Sequence, residues 1–180
     1  DTGGSIRMPS SANNLTGIKP TWGRVSRFGL MHLSESLDHI GPLARSAGDA
    51  AAILAAIAGP DPEDPTALAL PVPDYFADID SGVSGLIIGI DWKFTTDDMP
   101  APIVEALQNA VRVFTDLGAR IREIKFPEGG GVKAVYPLMQ AEAAAVHAEH
   151  FPAKANQYGS YLRKLIEDGL KVDPVALVKA

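Results

Sequence analysis

The apolar and polar positions of this chain fall into distinct regimes. Residues 1–48 are rich in Gly, Ser, Arg and Pro and show little period, which predicts tight turns and short strands. From Ala47 to Ala58, alanines together with Ile53, Leu54 and Ile57 cover most of a helical surface, so a buried helix is expected, with Gly59 at its stop. Residues 60–73 carry five prolines, Pro60, Pro62, Pro65, Pro71 and Pro73. They predict a surface connection with little regular structure, either a linker between domains or a long excursion over one domain.

The clearest pattern comes next. Leu86-Ile87-Ile88-Gly89-Ile90 is a continuous apolar run, as expected of a strand buried on both faces. Pro102 opens a helix whose apolar positions, Ile103, Leu107, Ala110, Val111, Phe114 and Leu117, recur with a helical period, and Gly118 closes it. Ala119 to Phe126 reads as a second strand. Strand, helix and strand at this spacing predict a βαβ unit with parallel strands and a right-handed crossover. Gly129-Gly130-Gly131 reads as a flexible turn. Val135 to His150 and Gln157 to Asp168 read as helices, Gly169 as a stop, and Asp173-Pro174 as the cap and first residue of another helix. There is no internal repeat and no heptad pattern.

Composition narrows the classes. A length of 180 residues suits one domain, and 46% apolar with 21% charged residues is ordinary for a globular protein. Lys plus Arg number 16 against 22 Asp plus Glu, and the net charge of −6 argues against direct nucleic-acid binding. The absence of cysteine excludes thiol catalysis, disulfide scaffolds and Cys-based zinc sites. The longest apolar run, Ala50 to Ala58, is nine residues, half of the roughly 18 that a membrane-spanning helix needs. The first residue is not Met and falls within a glycine-rich motif, and the helix opened at Asp173-Pro174 has little chain left. Residues 1–180 are therefore expected to be an internal segment of a longer protein, lacking N-terminal and C-terminal portions of its domain.

The candidate chemistry lies in Asp1-Thr2-Gly3-Gly4-Ser5-Ile6-Arg7. Two glycines before a serine let the backbone turn sharply so that N–H groups converge on one point. A helix starting near Ser5, with Pro9 in its first turn, would aim its positive end at the same point. The residues suit attack by Ser5 on a carbonyl, with the developing charge held by the amides of Thr2, Gly3 and Gly4. Asp1-Thr2-Gly3 also matches the aspartic-protease tripeptide, but that chemistry needs a second such carboxylate and no second triplet exists. A phosphate cradle lacks the following Lys. Taken alone, Gly-Gly-Ser reads best as a simple glycine turn.

The following residues change that reading. Ser5-Ile6-Arg7-Met8-Pro9 is succeeded by Gly17-Ile18-Lys19-Pro20-Thr21, by Gly23-Arg24-Val25-Ser26, and by Ser36-Leu37-Asp38-His39-Ile40-Gly41-Pro42-Leu43-Ala44-Arg45. In order and spacing, these blocks resemble the amidase signature family. Gly85 to Pro127 and Glu142 to Gly169 resemble it more loosely, being similar to the stretch found in general amidases and in the amidase subunits of tRNA-dependent amidotransferases. Ser10 departs from a common alanine and Asn14 from a common glycine. Asn tolerates the left-handed conformation, so the turn at Asn14 survives.

The resemblance implies an α/β fold with a mixed sheet core flanked by helices, and amide hydrolysis through a Ser–cis-Ser–Lys triad. Ser5 corresponds to the acylated nucleophile and Thr2, Gly3 and Gly4 to the backbone oxyanion donors. Asp1 and Arg7 correspond to structural supports beside the site. Arg24, Arg27 and Asp38 read as further polar ties beneath it. The cis-serine and the lysine base lie upstream in the family, outside this chain, and Lys19 matches the Lys-Pro-Thr block instead. An unassisted serine hydroxyl is a weak nucleophile, so this chain alone is expected to be inactive.

The function implied is hydrolysis of a carboxamide to carboxylate and ammonia through an acyl-serine. The alternatives are the glutamine-amidase subunit of a glutamyl- or aspartyl-tRNA amidotransferase and a non-catalytic homologue. The expected partner is a small-molecule amide, with a homodimer in view, or amidotransferase subunits in the second reading. No cofactor is expected, and the cytoplasm is the expected compartment. His147 and His150 near Glu142 and Glu149 invite a metal reading, but a third ligand is not evident and His-Glu-x-x-His is absent, so none is assigned. His32 and His39 read as isolated, and Trp22 and Trp92 as packing residues.

Overall fold

The computed structural model describes residues 1–126 and 131–180, which form two compact units, 1–76 with 131–180 and 77–126. The expected turn at residues 129–130 lies outside the described residues, and Gly131 is already helical.

In the first unit a short helix, α1 (Arg7–Ala12), leads into strand β1 (Thr16–Gly17). This strand pairs antiparallel with β2 (Leu43–Ala44), with Thr16 opposite Ala44 and Gly17 opposite Leu43. Six residues cannot sustain an isolated helix. Helix α1 is held instead by buried Ile6 and Ser10, with the Ser10 hydroxyl donating to the Ile6 carbonyl at 2.7 Å. The turn out of the helix passes through Asn14 at φ 53°, the left-handed conformation that its amide side chain tolerates.

Helix α2 (Ala47–Ile57) is capped by the Ser46 hydroxyl, which accepts from the Asp49 amide at 3.0 Å. Its existence and span match the pattern, but its burial is one-sided: Ala50, Ala51 and Leu54 are buried, whereas Ile53 and Ile57 are exposed. The proline-rich segment is an excursion over this unit and not a linker. Leu68 donates its amide to the Gly23 carbonyl at 2.8 Å, and the Arg24 guanidinium donates to the Leu70 and Pro71 carbonyls. Asp64, buried, accepts from the Arg27 amide at 2.7 Å and from the Thr66 hydroxyl at 2.5 Å. Those bonds, Thr66 first, hold its carboxyl down at about 2. Arg27, also buried, stacks its guanidinium 4.5 Å over the Trp22 ring, the packing role expected of that tryptophan.

Helix α5 (Gly131–Val146) begins and ends earlier than the expected Val135 to His150, and it carries Pro137 in its interior. It packs on α6 (Ser160–Gly169) around fully buried Ile166, with Ala144 and Phe151. A Cβ on Gly169 would stand 2.0 Å from the Gln140 carbonyl oxygen, so the two helices meet backbone to backbone. A last helix, α7 (Pro174–Lys179), starts as expected, its Asp173 cap accepting from the Ala176 amide at 2.9 Å.

The second unit holds the parallel pair. Strand β3 (Ile87–Ile90) is followed by a short helix that the pattern missed, α3 (Trp92–Thr96), and then by α4 (Ala101–Asp116) and β4 (Arg120–Glu123). Ile88 lies opposite Ile121 and Ile90 opposite Glu123, so the expected parallel pairing is present. The expectation of a strand buried on both faces is corrected. Ile87 is 53% exposed, because no second layer covers that face among the described residues of this unit. Trp92, Phe94, Leu107 and Phe114 line an apolar cleft of about 390 Å³ beside β3.

Two outcomes follow from this packing. Gly169→Ala should destabilise the fold by about 1–3 kcal/mol, since the new methyl must push Gln140 aside; an unchanged melting temperature would show that α5 and α6 do not touch there. Asp64 has a folded pKa below its ordinary 3.8, so its contribution is present above that value and disappears as the pH falls through about 2. The stability gap between the natural chain and Asp64→Asn, followed by denaturant melts across pH, should therefore close between about pH 4 and 2.

Candidate active site

The first seven residues form a turn folded around one carboxylate. The Asp1 side chain has no exposed surface. Its Oδ2 accepts from the amides of Ile6 (3.1 Å) and Arg7 (3.3 Å) and from Arg7 Nε (3.1 Å), while Oδ1 accepts from Arg7 Nη2 (3.0 Å). This is the two-pronged geometry in which a guanidinium best holds a carboxylate. It also occupies the first amides of α1. The expectation that the helix end would face the reacting group is therefore corrected: the helix starts at Arg7 and Asp1 takes its leading donors.

What remains are the amides before the helix. Among the described residues, none accepts a hydrogen bond from the backbone N–H of Thr2, Gly3, Gly4 or Ser5. Ser5 is exposed at the surface end of the turn, whereas Gly4 is buried. Gly4 has φ 148°, a backbone conformation that favours glycine, while a Cβ there would meet only the movable end of the exposed Met8 side chain. A free set of amides beside an exposed hydroxyl is the arrangement that receives charge on an attacked carbonyl oxygen.

Thr2 is anchored through its side chain, a contact that no spacing in the sequence announces. Its hydroxyl donates to Asp38 Oδ1, and Asp38 Oδ2 accepts from the amides of Leu33 (2.8 Å) and Ser34 (3.1 Å). His32 Nδ1 stands 3.4 Å from the same oxygen. Burial pushes the Asp38 carboxyl up, but the Thr2 hydroxyl, the two amides and His32 together hold it below the ordinary range. Asp38 is thus a polar tie, and its partner is the glycine turn at Thr2. The 33–38 segment is held in turn from α5: Glu142 Oε2 accepts from the Ser34 hydroxyl and from the Ser36 amide at 3.0 Å.

Asp1 is fixed from the other side by His39. The Asp1 nitrogen donates to the His39 carbonyl at 2.6 Å, and the His39 amide to the Asp1 carbonyl at 3.1 Å. The His39 ring faces the Leu37 carbonyl through Nδ1 at 2.6 Å and the Lys19 ammonium through Nε2 at 3.1 Å. A carbonyl can only accept and an ammonium can only donate, so the geometry assigns the neutral Nδ1–H tautomer. Burial first, and then the Lys19 charge, lower its pKa against the opposing Leu37 bond. Lys19 also donates to the Pro20 carbonyl at 3.2 Å. His39 is therefore not isolated, and neither is His32.

The remaining candidates lie apart from this turn. Arg24 ties down the proline-rich excursion. His147 is buried with its Nδ1 at 3.1 Å from the Tyr158 hydroxyl, and burial lowers its pKa. No helix of the described residues is long and apolar enough to cross a membrane.

Comparison with known proteins identifies the family. The family model described as Amidase matches residues 1–173. AmiD of Mycobacterium tuberculosis is 43% identical over 177 residues, covering 97% of this chain and 37% of that protein. A glutamyl-tRNA(Gln) amidotransferase subunit from Myxococcus xanthus is 44% identical over 146 residues, covering 81% of this chain and 30% of that one. A crystal structure of an amidase superimposes with a TM-score of 0.81 at 29% identity, over 99% of this chain and 37% of the other. The chain thus spans about a third of the length of the relatives it matches. With a family model over nearly all of its length, the chain belongs to the amidase family.

Proposed function

We propose that this chain carries the nucleophile segment of an amidohydrolase, one part of a longer catalytic domain. Ser5 Oγ attacks the carbonyl carbon of a carboxamide. The oxygen takes up negative charge facing the amides of Thr2, Gly3 and Gly4, the C–N bond breaks, and the nitrogen leaves as ammonia carrying the proton that the Ser5 hydroxyl gave up. Water then attacks acyl-Ser5, releasing carboxylate and restoring the hydroxyl. One observation carries this reading: the amides from Thr2 to Ser5 have no acceptor among the described residues, while Asp1 consumes those of Ile6 and Arg7.

Asp1 and Arg7 act in this reading as supports and do not touch substrate. The proton acceptor for Ser5 comes from the lysine and bridging cis-serine that the family resemblance places outside this chain. Lys19 is unsuited to that role, because its ammonium is engaged by His39 and the Pro20 carbonyl. The 180 residues alone are accordingly inactive. A cytoplasmic location and a homodimeric assembly belong to the same proposal and rest on the resemblance alone.

A second reading is favoured by the relatives named as glutamyl-tRNA(Gln) amidotransferase subunits, which are as similar per residue as AmiD. There the same chemistry would release ammonia from glutamine to partner subunits. The AmiD similarity extends over 177 residues against 146 for the Myxococcus protein, which supports the free amidase as the first choice.

Two assays check the proposal. In the complete enzyme, Ser5→Ala should lower amide turnover roughly 10³-fold or more. The isolated chain should release no ammonia above background from simple amides. Serine-dependent turnover by the isolated chain would contradict the split of catalytic groups, and full activity of Ser5→Ala would remove the nucleophile.

A further inference from the structure

We infer that Glu142 is a positioning residue for the oxyanion turn, acting from α5 through the 33–38 segment on Thr2. The inference rests on the amidohydrolase reading above and adds to it a residue that belongs to none of the N-terminal motifs.

The chain of contacts is continuous and lies within the first unit. Glu142 Oε2 receives two donors from one segment, the Ser34 hydroxyl and the Ser36 amide. Ser34 is completely buried, so its hydroxyl has no water to turn to. The same residue anchors the turn at both ends. Its carbonyl accepts from the amides of Leu37 (3.2 Å) and Asp38 (3.0 Å), and its amide donates to Asp38 Oδ2. Asp38 then uses its other oxygen to hold the Thr2 hydroxyl, three residues before Ser5. The orientation of the Thr2 peptide is thereby referred to a carboxylate 140 residues away in sequence, on a helix pinned by the close α5–α6 crossing.

Glu142 has no cation among the described residues within ion-pair distance, and its charge is met by the two serine donors. A carboxylate placed only to stabilise a helix surface would face solvent or an i+4 cation, as Asp168 faces Lys164 at 2.9 Å. Glu142 instead spans from α5 to the segment that fixes the oxyanion donors. A shift of a few tenths of an ångström in an oxyanion donor weakens the transition state more than the ground state, because the bond is strongest when the carbonyl oxygen is fully charged. The loss should therefore fall on kcat and leave KM nearly unchanged.

The test uses the complete enzyme with a simple amide substrate and a boronic acid that forms a tetrahedral adduct on serine. Glu142→Ala should lower kcat about 10- to 100-fold with KM within about threefold, and should weaken the boronic acid by the same factor as kcat/KM. Binding of the carboxylate product should not change. Glu142→Gln keeps an oxygen that accepts from both serines and should recover most of kcat, which a need for the charge itself would not allow. Should Glu142→Ala fail to fold, Ser34→Ala removes only the hydroxyl contact and should show the same split at smaller size. Ser5→Ala run in parallel separates the two claims. If Ser5→Ala is inactive while Glu142→Ala keeps full kcat and boronate affinity, the positioning role is wrong and the nucleophile stands. If Ser5→Ala remains active, both fall. A loss in kcat that tracks only a lower melting temperature, with boronate affinity unchanged, also overturns the inference.

Discussion

The candidate site depends on one buried carboxylate. Asp1 gathers the Ile6 and Arg7 amides and the Arg7 guanidinium onto two oxygens and so closes the chain from residue 1 to residue 7 into a loop. Burying a charge costs several kcal/mol unless its partners are complete, and these four donors supply them. The arrangement also separates two sets of amides that would otherwise compete. Those of the helix go to the protein's own carboxylate, and those of the glycine turn keep no acceptor among the described residues. Helix α1 is only six residues long and offers a weak dipole, and its leading amides are already taken by Asp1.

Around that loop the supports come from distant parts of the sequence. Asp38 takes the Thr2 hydroxyl, His39 takes both backbone groups of Asp1, and Glu142 fixes the segment between Leu33 and Asp38 from α5. Each contact is polar and at least partly withdrawn from solvent, where a hydrogen bond is strong and an unpaired partner is costly. The glycine turn is thus surrounded by groups that cannot relax cheaply. The exposed apolar face of the second unit shows the opposite character. Leu86, Ile87, Val113 and Leu117 are more than half exposed, as suits a segment spanning about a third of its relatives' length.

Much of this was legible in the sequence, for identifiable reasons. The β3–α4–β4 unit follows from an apolar run, a helical period and a glycine stop, all local signals. The caps of α2 and α7 were readable because Ser46 and Asp173 bond to amides only three residues on. Asn14 was readable as a residue able to replace glycine, and it has the positive φ that this implies. What failed was burial, since a pattern of apolar residues does not state how many layers cover it. Ile53, Ile57 and Ile87 all proved exposed. Short α3 failed because five residues carry too little period to read. The roles of Asp38, His39 and Glu142 depend on side-chain contacts made 36, 38 and 108 positions away, for which one sequence holds no spacing rule. Glu142 was noticed only as a neighbour of two histidines, whereas its carboxylate turns to Ser34 and Ser36.

The central claim is that Ser5 is the acylated nucleophile, and active-site labelling reports on it most directly. The complete enzyme is treated with a fluorophosphonate, digested, and the modified peptide sequenced by mass spectrometry. Phosphonylation is expected on Ser5 alone, with inactivation proportional to labelling and protection by an amide substrate. Stoichiometric labelling at another residue, or an enzyme that turns over amides while Ser5 stays unmodified under inactivating conditions, would contradict it.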